Sequence, residues 1–122
     1  MNDEAYTDIW FEEKPRSILE CGSDGVVSFF SLSKRSAMTG WRIGFTAGDP
    51  RAIGAFRKVK TNIDSGTPTF IQDAAIAALA DEEHVEGMRR EYRIKRDLLA
   101  AAFRDLGLEA CAPQGTIHYW QR

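Results

Sequence analysis

The sequence contains few of the residues that mark several large classes of protein. It has only two cysteines, Cys21 and Cys111, and they lie far apart along the chain. Two distant cysteines lack the dense spacing of small secreted domains and are expected to be buried thiols rather than a disulfide. The two histidines, His84 and His118, show no metal-ligand spacing with cysteines or carboxylates, so the sequence predicts no metal site.

An excess of charge of one sign is also absent. The 16 lysines and arginines and the 18 aspartates and glutamates leave a net charge of -2, which argues against a general attraction to nucleic acid or to an anionic membrane. No apolar run approaches the length of a membrane span, and the first residues lack the basic and apolar regions of an export signal. The composition, 43% hydrophobic and 28% charged, is ordinary for a globular protein, and we expect a cytoplasmic location.

Two short apolar runs predict strands. Residues 26–32 and 41–47 are rich in β-branched and aromatic side chains, and the turn signal 22–25 precedes the first of them. Such short, nearly continuous apolar runs are typical of strands that are buried on both faces and pair with neighbours on either side.

Three helices are predicted downstream of these strands. In residues 49–60 and again in 67–80, a capping residue precedes a proline of the first turn. A third helix is predicted over 82–106 and is closed by a glycine. Its basic segment 89–96 follows acidic residues and is expected to be a solvated helix face rather than a nucleic-acid site. Strands and helices in this order predict an α/β sandwich.

The most informative run joins the two predicted strands and consists of Ser31-Leu-Ser-Lys34-Arg-Ser-Ala-Met-Thr-Gly-Trp-Arg42-Ile-Gly44. Lys34 offers an amine, Ser31 a hydroxyl and Arg42 a guanidinium. A lysine that forms a Schiff base with a phosphorylated aldehyde needs an amine that can lose its proton. It also needs an arginine and a hydroxyl to fix the phosphate. Lys34 follows the C-terminal end of the first strand, where ligands of α/β sheets gather.

This run resembles the cofactor-lysine segment of the class I/II aminotransferases, the fold-type I pyridoxal-phosphate enzymes, in which Ser-x-x-Lys precedes Gly-x-Arg-x-Gly. Residues 3–6 (Asp-Glu-Ala-Tyr) resemble the Asp-x-x-Tyr motif of the same family, and residues 113–116 (Pro-Gln-Gly-Thr) resemble its Pro-x-Gly-Thr segment. The three motifs lie in the family's order and span nearly the whole chain. Within the family, the loop 61–66 is similar to that of the diaminopimelate aminotransferase branch.

The resemblance implies a role for three residues around the reacting atoms. Lys34 is expected to form an aldimine with pyridoxal 5'-phosphate and to carry a proton between the substrate and the cofactor. Asp3 is expected to keep the cofactor's ring nitrogen protonated, which the cofactor needs as an electron sink. Tyr6 is expected to donate a hydrogen bond to the cofactor's phenolic oxygen and so to tune its acidity.

The resemblance also implies a phosphate site. Arg42 is expected to bind the phosphate through two hydrogen bonds and Ser31 through its hydroxyl, while Ser33 is a further hydroxyl that can share the task. The expected cofactor-binding set is therefore Asp3, Tyr6, Ser31, Ser33, Lys34 and Arg42.

Enzymes of this family are much longer than 122 residues, so we expect the chain to be a fragment that is inactive alone. Residues 1–88 are expected to be the C-terminal part of the large domain, and 89–122 the connecting helix and incomplete first strand of the small domain. The whole enzyme is expected to be a homodimeric aminotransferase that moves an amino group between an amino acid and a 2-oxo acid. A pyridoxal-phosphate β-lyase and an aminotransferase-like domain of a transcription regulator are the alternatives.

Overall fold

The computed structural model describes residues 1–109 and 111–121. Three strands form one sheet in the order β1-β2-β3, with β1 parallel to β2 and β2 antiparallel to β3. The strands are β1 (Asn2–Asp3), β2 (Val27–Ser31) and β3 (Gly44–Gly48). The α-helices are α1 (Leu32–Arg35), α2 (Pro50–Ile63), α3 (Thr69–Ala80) and α4 (Glu83–Asp105), and two short 3-10 helices are Ile18–Cys21 and Thr39–Trp41. The predicted α/β class is confirmed.

The three predicted helices are present, and their ends follow local signals. Asp49 caps α2 by accepting a hydrogen bond from the backbone N–H of Arg51 at 2.8 Å, and Pro50 occupies the first turn. Gly107 follows α4 in the left-handed conformation with φ +74°, as expected of a residue that ends a helix. The predicted domain boundary between residues 88 and 89 falls inside the unbroken helix α4 and stays a prediction.

The second predicted strand was placed too early. Its first residue, Trp41, ends the 3-10 helix Thr39–Trp41, and Arg42 adopts the left-handed conformation with φ +53°, so β3 begins only at Gly44. A Cβ atom on Gly44 would lie 2.4 Å from the carbonyl oxygen of Phe30 on β2. The glycine therefore permits the close approach of the two strands at the point where the chain returns from the turn.

Two groups of residues that were expected to be buried are exposed or only partly buried within the described part of the chain. The strands are not buried on both faces: only Ser28 is fully buried in β2, and β3 begins with exposed residues. Phe30 and Phe45 stack at a centroid distance of 4.6 Å, yet Phe45 is 41% exposed. The cysteines are not buried either, because Cys21 and Cys111 are both exposed free thiols. Both lie beside irregular chain, where little covers a side chain.

The basic segment of α4 is not wholly a solvated face. Arg89 lies over the ring of Trp10 at 4.7 Å, and Arg96 lies over that of Phe11 at 4.8 Å. Arg93 donates a hydrogen bond to the carbonyl oxygen of Phe11. Spacings of four and three residues place these arginines on one helix face, where the guanidinium groups of Arg89 and Arg96 lie over aromatic rings and that of Arg93 donates to a backbone carbonyl.

A small apolar core holds the turn that follows β2. Leu32 of α1 is 1% exposed and packs with Met38 and with Ala75 of α3. The backbone N–H of Leu32 also donates to the carbonyl oxygen of Ile43 at 3.3 Å, which extends the pairing of β2 and β3 by one residue. The start of α1 is thereby fixed both to the sheet and to α3. In the part of the chain that the structure describes, no helix has the length and apolar character needed to cross a membrane.

The carboxylate of Asp49 should make stability depend on pH. The guanidinium of Arg51 and the backbone N–H of Gly25 donate to it and hold its pKa well below the usual range. Stabilisation by Asp49 should therefore be complete above about pH 4, the pKa of an unfolded aspartate, and be lost as the pH falls further. Asp49→Asn keeps an acceptor for the cap but cannot titrate. We expect the free energy of unfolding, measured with urea from pH 5 to 2, to fall less steeply with pH in Asp49→Asn than in the wild-type protein. Equal pH dependence in the two proteins would contradict the assignment.

Candidate active site

The strands bring two of the sequence motifs to one edge of the sheet. Asp3 ends β1 opposite Phe29 of the parallel strand β2, and Ser31 ends β2 two residues later. Because the carboxyl ends of parallel strands meet at the same edge, Asp3 and Ser31 line one cavity of about 180 Å³ together with Ala5 and Phe30. A carboxylate and a hydroxyl thus face the same space.

Lys34 lies on the single helical turn that begins where β2 ends. Its Nζ atom is 5.7 Å from the centroid of the Tyr6 ring, a distance typical of a cation–π contact. Ser31 caps the turn, since its Oγ accepts a hydrogen bond from the backbone N–H of Ser33 at 3.2 Å. Lys34 and Tyr6 are both half-buried, so the amine is held near the aromatic ring and remains accessible to a small molecule.

A chain of hydrogen bonds connects the predicted phosphate residues. Thr39 Oγ1 donates to the carbonyl oxygen of Ser33 at 3.1 Å, and Arg42 Nη1 donates to the carbonyl oxygen of Thr39 at 2.9 Å. Since Ser33 also donates to Ser31, these four residues form one connected turn around Lys34. The left-handed conformation of Arg42 turns the chain back toward the sheet. Sequence analysis did not assign a role to Thr39, although its hydroxyl lies within the central motif.

Arg35 anchors the helical turn that carries Lys34. Its side chain is only 8% exposed and forms ion pairs with Asp8, at 3.4 Å, and with Glu82. It also donates to the carbonyl oxygen of Ala78 at 2.8 Å. Consecutive residues of a helix point in different directions, so Lys34 reaches Tyr6 while Arg35 ties the same turn to the end of α3 and the start of α4. Sequence analysis missed this role of Arg35. The sequence shows only that a charged residue follows the key lysine.

Glu4 fixes the end of β1 beside Asp3. Its buried Oε1 atom accepts four hydrogen bonds, from Asn2 Nδ2 at 2.8 Å, Ser17 Oγ at 2.9 Å, Ser28 Oγ at 3.0 Å and the backbone N–H of Ile18 at 3.3 Å. Burial alone would raise the pKa of Glu4, but these donors outweigh it and lower the pKa from its ordinary value. The charged carboxylate therefore joins β1, β2 and the loop between them.

The C-terminal motif pairs with the segment that follows Tyr6. The backbone N–H of Thr116 donates to the carbonyl oxygen of Ile9 at 2.7 Å, and Gly115 forms a β-bridge with Trp10. This pairing brings His118 to Tyr6, where His118 Nε2 lies 3.3 Å from Tyr6 Oη. Sequence analysis gave His118 no role in the site, because 112 positions separate it from Tyr6 and no local pattern connects them.

The side chains at this sheet edge fit a phosphorylated aldehyde that carries an aromatic ring nitrogen and a phenolic oxygen. Lys34 supplies the amine, Tyr6 a hydroxyl and Asp3 a carboxylate. In the described part of the chain, the exposed guanidinium of Arg42 has a single hydrogen bond, from Nη1 to Thr39, so it can bind a phosphate. The six predicted residues are thus grouped around one turn, and their individual roles stay predictions.

A comparison with known families decides where this arrangement belongs. The sequence profile of the family described as "Aminotransferase class I and II" matches residues 1–122. The chain belongs to the class I and II aminotransferases. The resemblance inferred from the three motifs is therefore confirmed at the level of the family.

Curated proteins with similar sequences are named as aminotransferases. The chain is 38% identical over 126 residues to an LL-diaminopimelate aminotransferase of Nitratidesulfovibrio vulgaris, with 99% of this chain and 32% of that protein covered. It is 42% identical over 123 residues to an LL-diaminopimelate aminotransferase of Aquifex aeolicus, with 98% and 32% covered. The chain therefore spans about a third of the length of the curated relatives it matches.

Solved aminotransferases have the same fold over this region. An aminotransferase from Staphylococcus aureus superimposes with a TM-score of 0.85 at 34% identity, covering 93% of this chain and 31% of that one. A double mutant of Thermus thermophilus aspartate aminotransferase superimposes with a TM-score of 0.86 at 33% identity, covering 93% and 31%. The three-stranded sheet and its helices are therefore similar to part of a larger aminotransferase fold.

Proposed function

We propose that this protein is a pyridoxal-phosphate-dependent aminotransferase that moves an amino group between an amino acid and a 2-oxo acid. The observation that carries the proposal is the position of Lys34, whose Nζ atom lies 5.7 Å from the centroid of the Tyr6 ring and which follows by three residues Ser31 of the cavity that Asp3 and Ser31 share. The names of the curated relatives favour an aminotransferase over a β-lyase or a transcription regulator. They also support a substrate of the diaminopimelate class and a part in amino-acid biosynthesis.

Each residue of the site has a defined task in this proposal. The bound cofactor supplies an electron-withdrawing ring that stabilises negative charge at the substrate's α-carbon. Lys34 would hold the cofactor through its amine and would take up and return the proton at that carbon. The carboxylate of Asp3 stabilises a proton on the ring nitrogen, and the hydroxyl of Tyr6 donates to the phenolic oxygen.

The turn after β2 would hold the phosphate. The guanidinium of Arg42 and the hydroxyls of Ser31 and Ser33 lie on a turn whose own hydrogen bonds fix its shape. A preformed set of donors loses little freedom when it binds a phosphate, which favours both affinity and correct orientation. Arg35 contributes by keeping the turn against α3 and α4.

The proposal also covers the subunit assembly, the domain boundary and the cellular location. We propose a homodimer in which residues 62–68, the end of α2 and the largely exposed loop after it, face the neighbouring subunit. We also propose that 1–88 belong to the large domain and 89–122 to the connection with the small domain. We also propose a cytoplasmic location, which the ordinary composition supports.

Borohydride reduction tests the central assignment. The holoenzyme should be reduced in the presence of pyridoxal phosphate, digested and mapped, and we expect the label on Lys34 because its flanking turn supplies the phosphate donors. Lys34→Ala should remove the label, while Lys58→Ala, an exposed lysine on α2, should keep it. A label on another lysine, or none in the wild-type protein, would overturn the proposal. Amino transfer to a 2-oxo acid then distinguishes an aminotransferase from a β-lyase.

A further inference from the structure

His118 makes a direct contact with a residue of the proposed site. Its Nε2 atom lies 3.3 Å from Tyr6 Oη, and the two rings pack edge to face with a centroid distance of 5.4 Å and an interplanar angle of 62°. Lys34 Nζ lies 5.7 Å from the centroid of the same Tyr6 ring. Tyr6 therefore stands between the proposed catalytic lysine and a histidine from the far end of the chain.

The position of His118 is fixed by the chain around it. Its backbone N–H donates to Thr116 Oγ1 at 3.3 Å, and the backbone N–H of Thr116 is bonded to Ile9 at 2.7 Å. The next residue, Tyr119, packs on Phe103 of α4 at a centroid distance of 5.1 Å. The imidazole is thus held toward Tyr6 by contacts that do not involve its own ring.

We propose that His118 is a positioning residue for Tyr6, and the proposal rests on the proposed function. A tyrosine hydroxyl has one proton to donate and two lone pairs that accept. When His118 donates from Nε2 to a lone pair of Tyr6 Oη, the single proton of Tyr6 stays available for the phenolic oxygen of the cofactor. The contact thereby fixes both the tautomer of His118 and the direction in which Tyr6 donates.

The charged side chains that line the cavity beside His118 do not compete for this bond. Tyr92, Lys95 and Arg96 of α4 line the same small cavity of about 50 Å³ as the imidazole. Lysine and arginine side chains have only donors, so Lys95 and Arg96 cannot accept from Nε2. The acceptor found within hydrogen-bond distance of Nε2 is Tyr6 Oη.

A donor chain of this kind has a measurable consequence. Consecutive hydrogen bonds polarise one another, so the Nε2–H of His118 makes Tyr6 a stronger donor. A stronger donor favours the form of the cofactor that has more negative charge on its phenolic oxygen. The pH midpoint at which the visible absorbance band of the cofactor changes is therefore lower. Polarisation by one neighbour strengthens a hydrogen bond by about 10–30%, so the loss of the His118 donor contributes roughly 0.1 to 0.6 pH unit. We therefore expect His118→Phe to raise the pH midpoint by about that amount.

Titration of the visible band of the holoenzyme tests the proposal. His118→Phe keeps the edge-to-face packing and removes the donor, whereas His118→Gln keeps an N–H donor and should shift the midpoint less. His84→Phe is the matched control, because His84 pairs with Asp81 at the start of α4. Since His118 acts through Tyr6, the double variant Tyr6→Phe/His118→Phe should titrate as Tyr6→Phe does alone.

The outcomes separate this inference from the proposed function. A wild-type protein without a visible band would overturn the proposed function and this inference with it. A normal band whose midpoint is unchanged in His118→Phe, or whose two shifts add in the double variant, would overturn the inference alone. Nitrogen NMR of the cofactor-free protein gives a second measurement that does not depend on turnover: we expect the proton of His118 on Nε2, and a proton on Nδ1 would contradict the proposal.

Discussion

In the whole enzyme, Lys34→Ala should lower turnover by roughly 10⁴-fold or more. The substitution removes the amine that attaches the cofactor and the group that moves the proton at the substrate's α-carbon, and proton transfer alone contributes about 10²–10⁴-fold. The measurement is steady-state amino transfer with saturating pyridoxal phosphate, with glutamate as the amino donor. Because Lys34 is half-buried and its neighbours Leu32 and Arg35 make the structural contacts, we expect the thermal midpoint to change little.

The matched control for this prediction is Lys58→Ala. Lys58 is an exposed lysine on α2 and lies outside the turn that carries Lys34. The control should have wild-type turnover, and it shows whether the loss belongs to the site or to the change in net charge. Turnover of Lys34→Ala within tenfold of wild type would exclude Lys34 as the reacting amine.

Asp3→Ala should lower kcat by about 10²–10³-fold and leave the borohydride label on Lys34. The carboxylate stabilises a proton on the cofactor's ring nitrogen, and a preorganised electrostatic contact of this kind contributes on the order of 3 kcal/mol to the transition state. Attachment of the cofactor at Lys34 does not need that proton, so Asp3→Ala should lower turnover without removing the borohydride label from Lys34. The expected signature is a much lower kcat with KM changed far less.

Asp73→Ala is the control for Asp3. Asp73 is exposed on α3 and, among the described residues, forms no hydrogen bond or ion pair with the turn around Lys34. It should keep wild-type kinetics. Near-normal turnover of Asp3→Ala would exclude the proposed role, while loss of the label together with turnover would show that Asp3 acts on folding or attachment instead. The buried hydrogen bonds of Glu4 keep the backbone of β1 in place when the Asp3 side chain is shortened.

Local sequence was enough to predict the elements and the central motif. The capping residues Asp49 and Pro50 act within one helical turn, so α2 could be located from a few neighbouring residues. Ser31, Lys34 and Arg42 lie within 12 consecutive positions, and the turn that groups them is closed by hydrogen bonds inside the same run. The family could be inferred for the same reason, because its motifs are short and ordered along the chain.

Tertiary structure decided the contacts that join distant parts of the chain. The sequence predicted a solvated basic face on α4, yet Arg89 and Arg96 cover Trp10 and Phe11, more than 75 residues upstream. It also gave no reason to pair His118 with Tyr6. Local propensity determines how a segment folds, whereas the partner of each side chain depends on which segments the sheet and helices bring together. The sequence by itself therefore determined the family, the helices and the lysine turn, and only the folded chain determined which residues surround that turn.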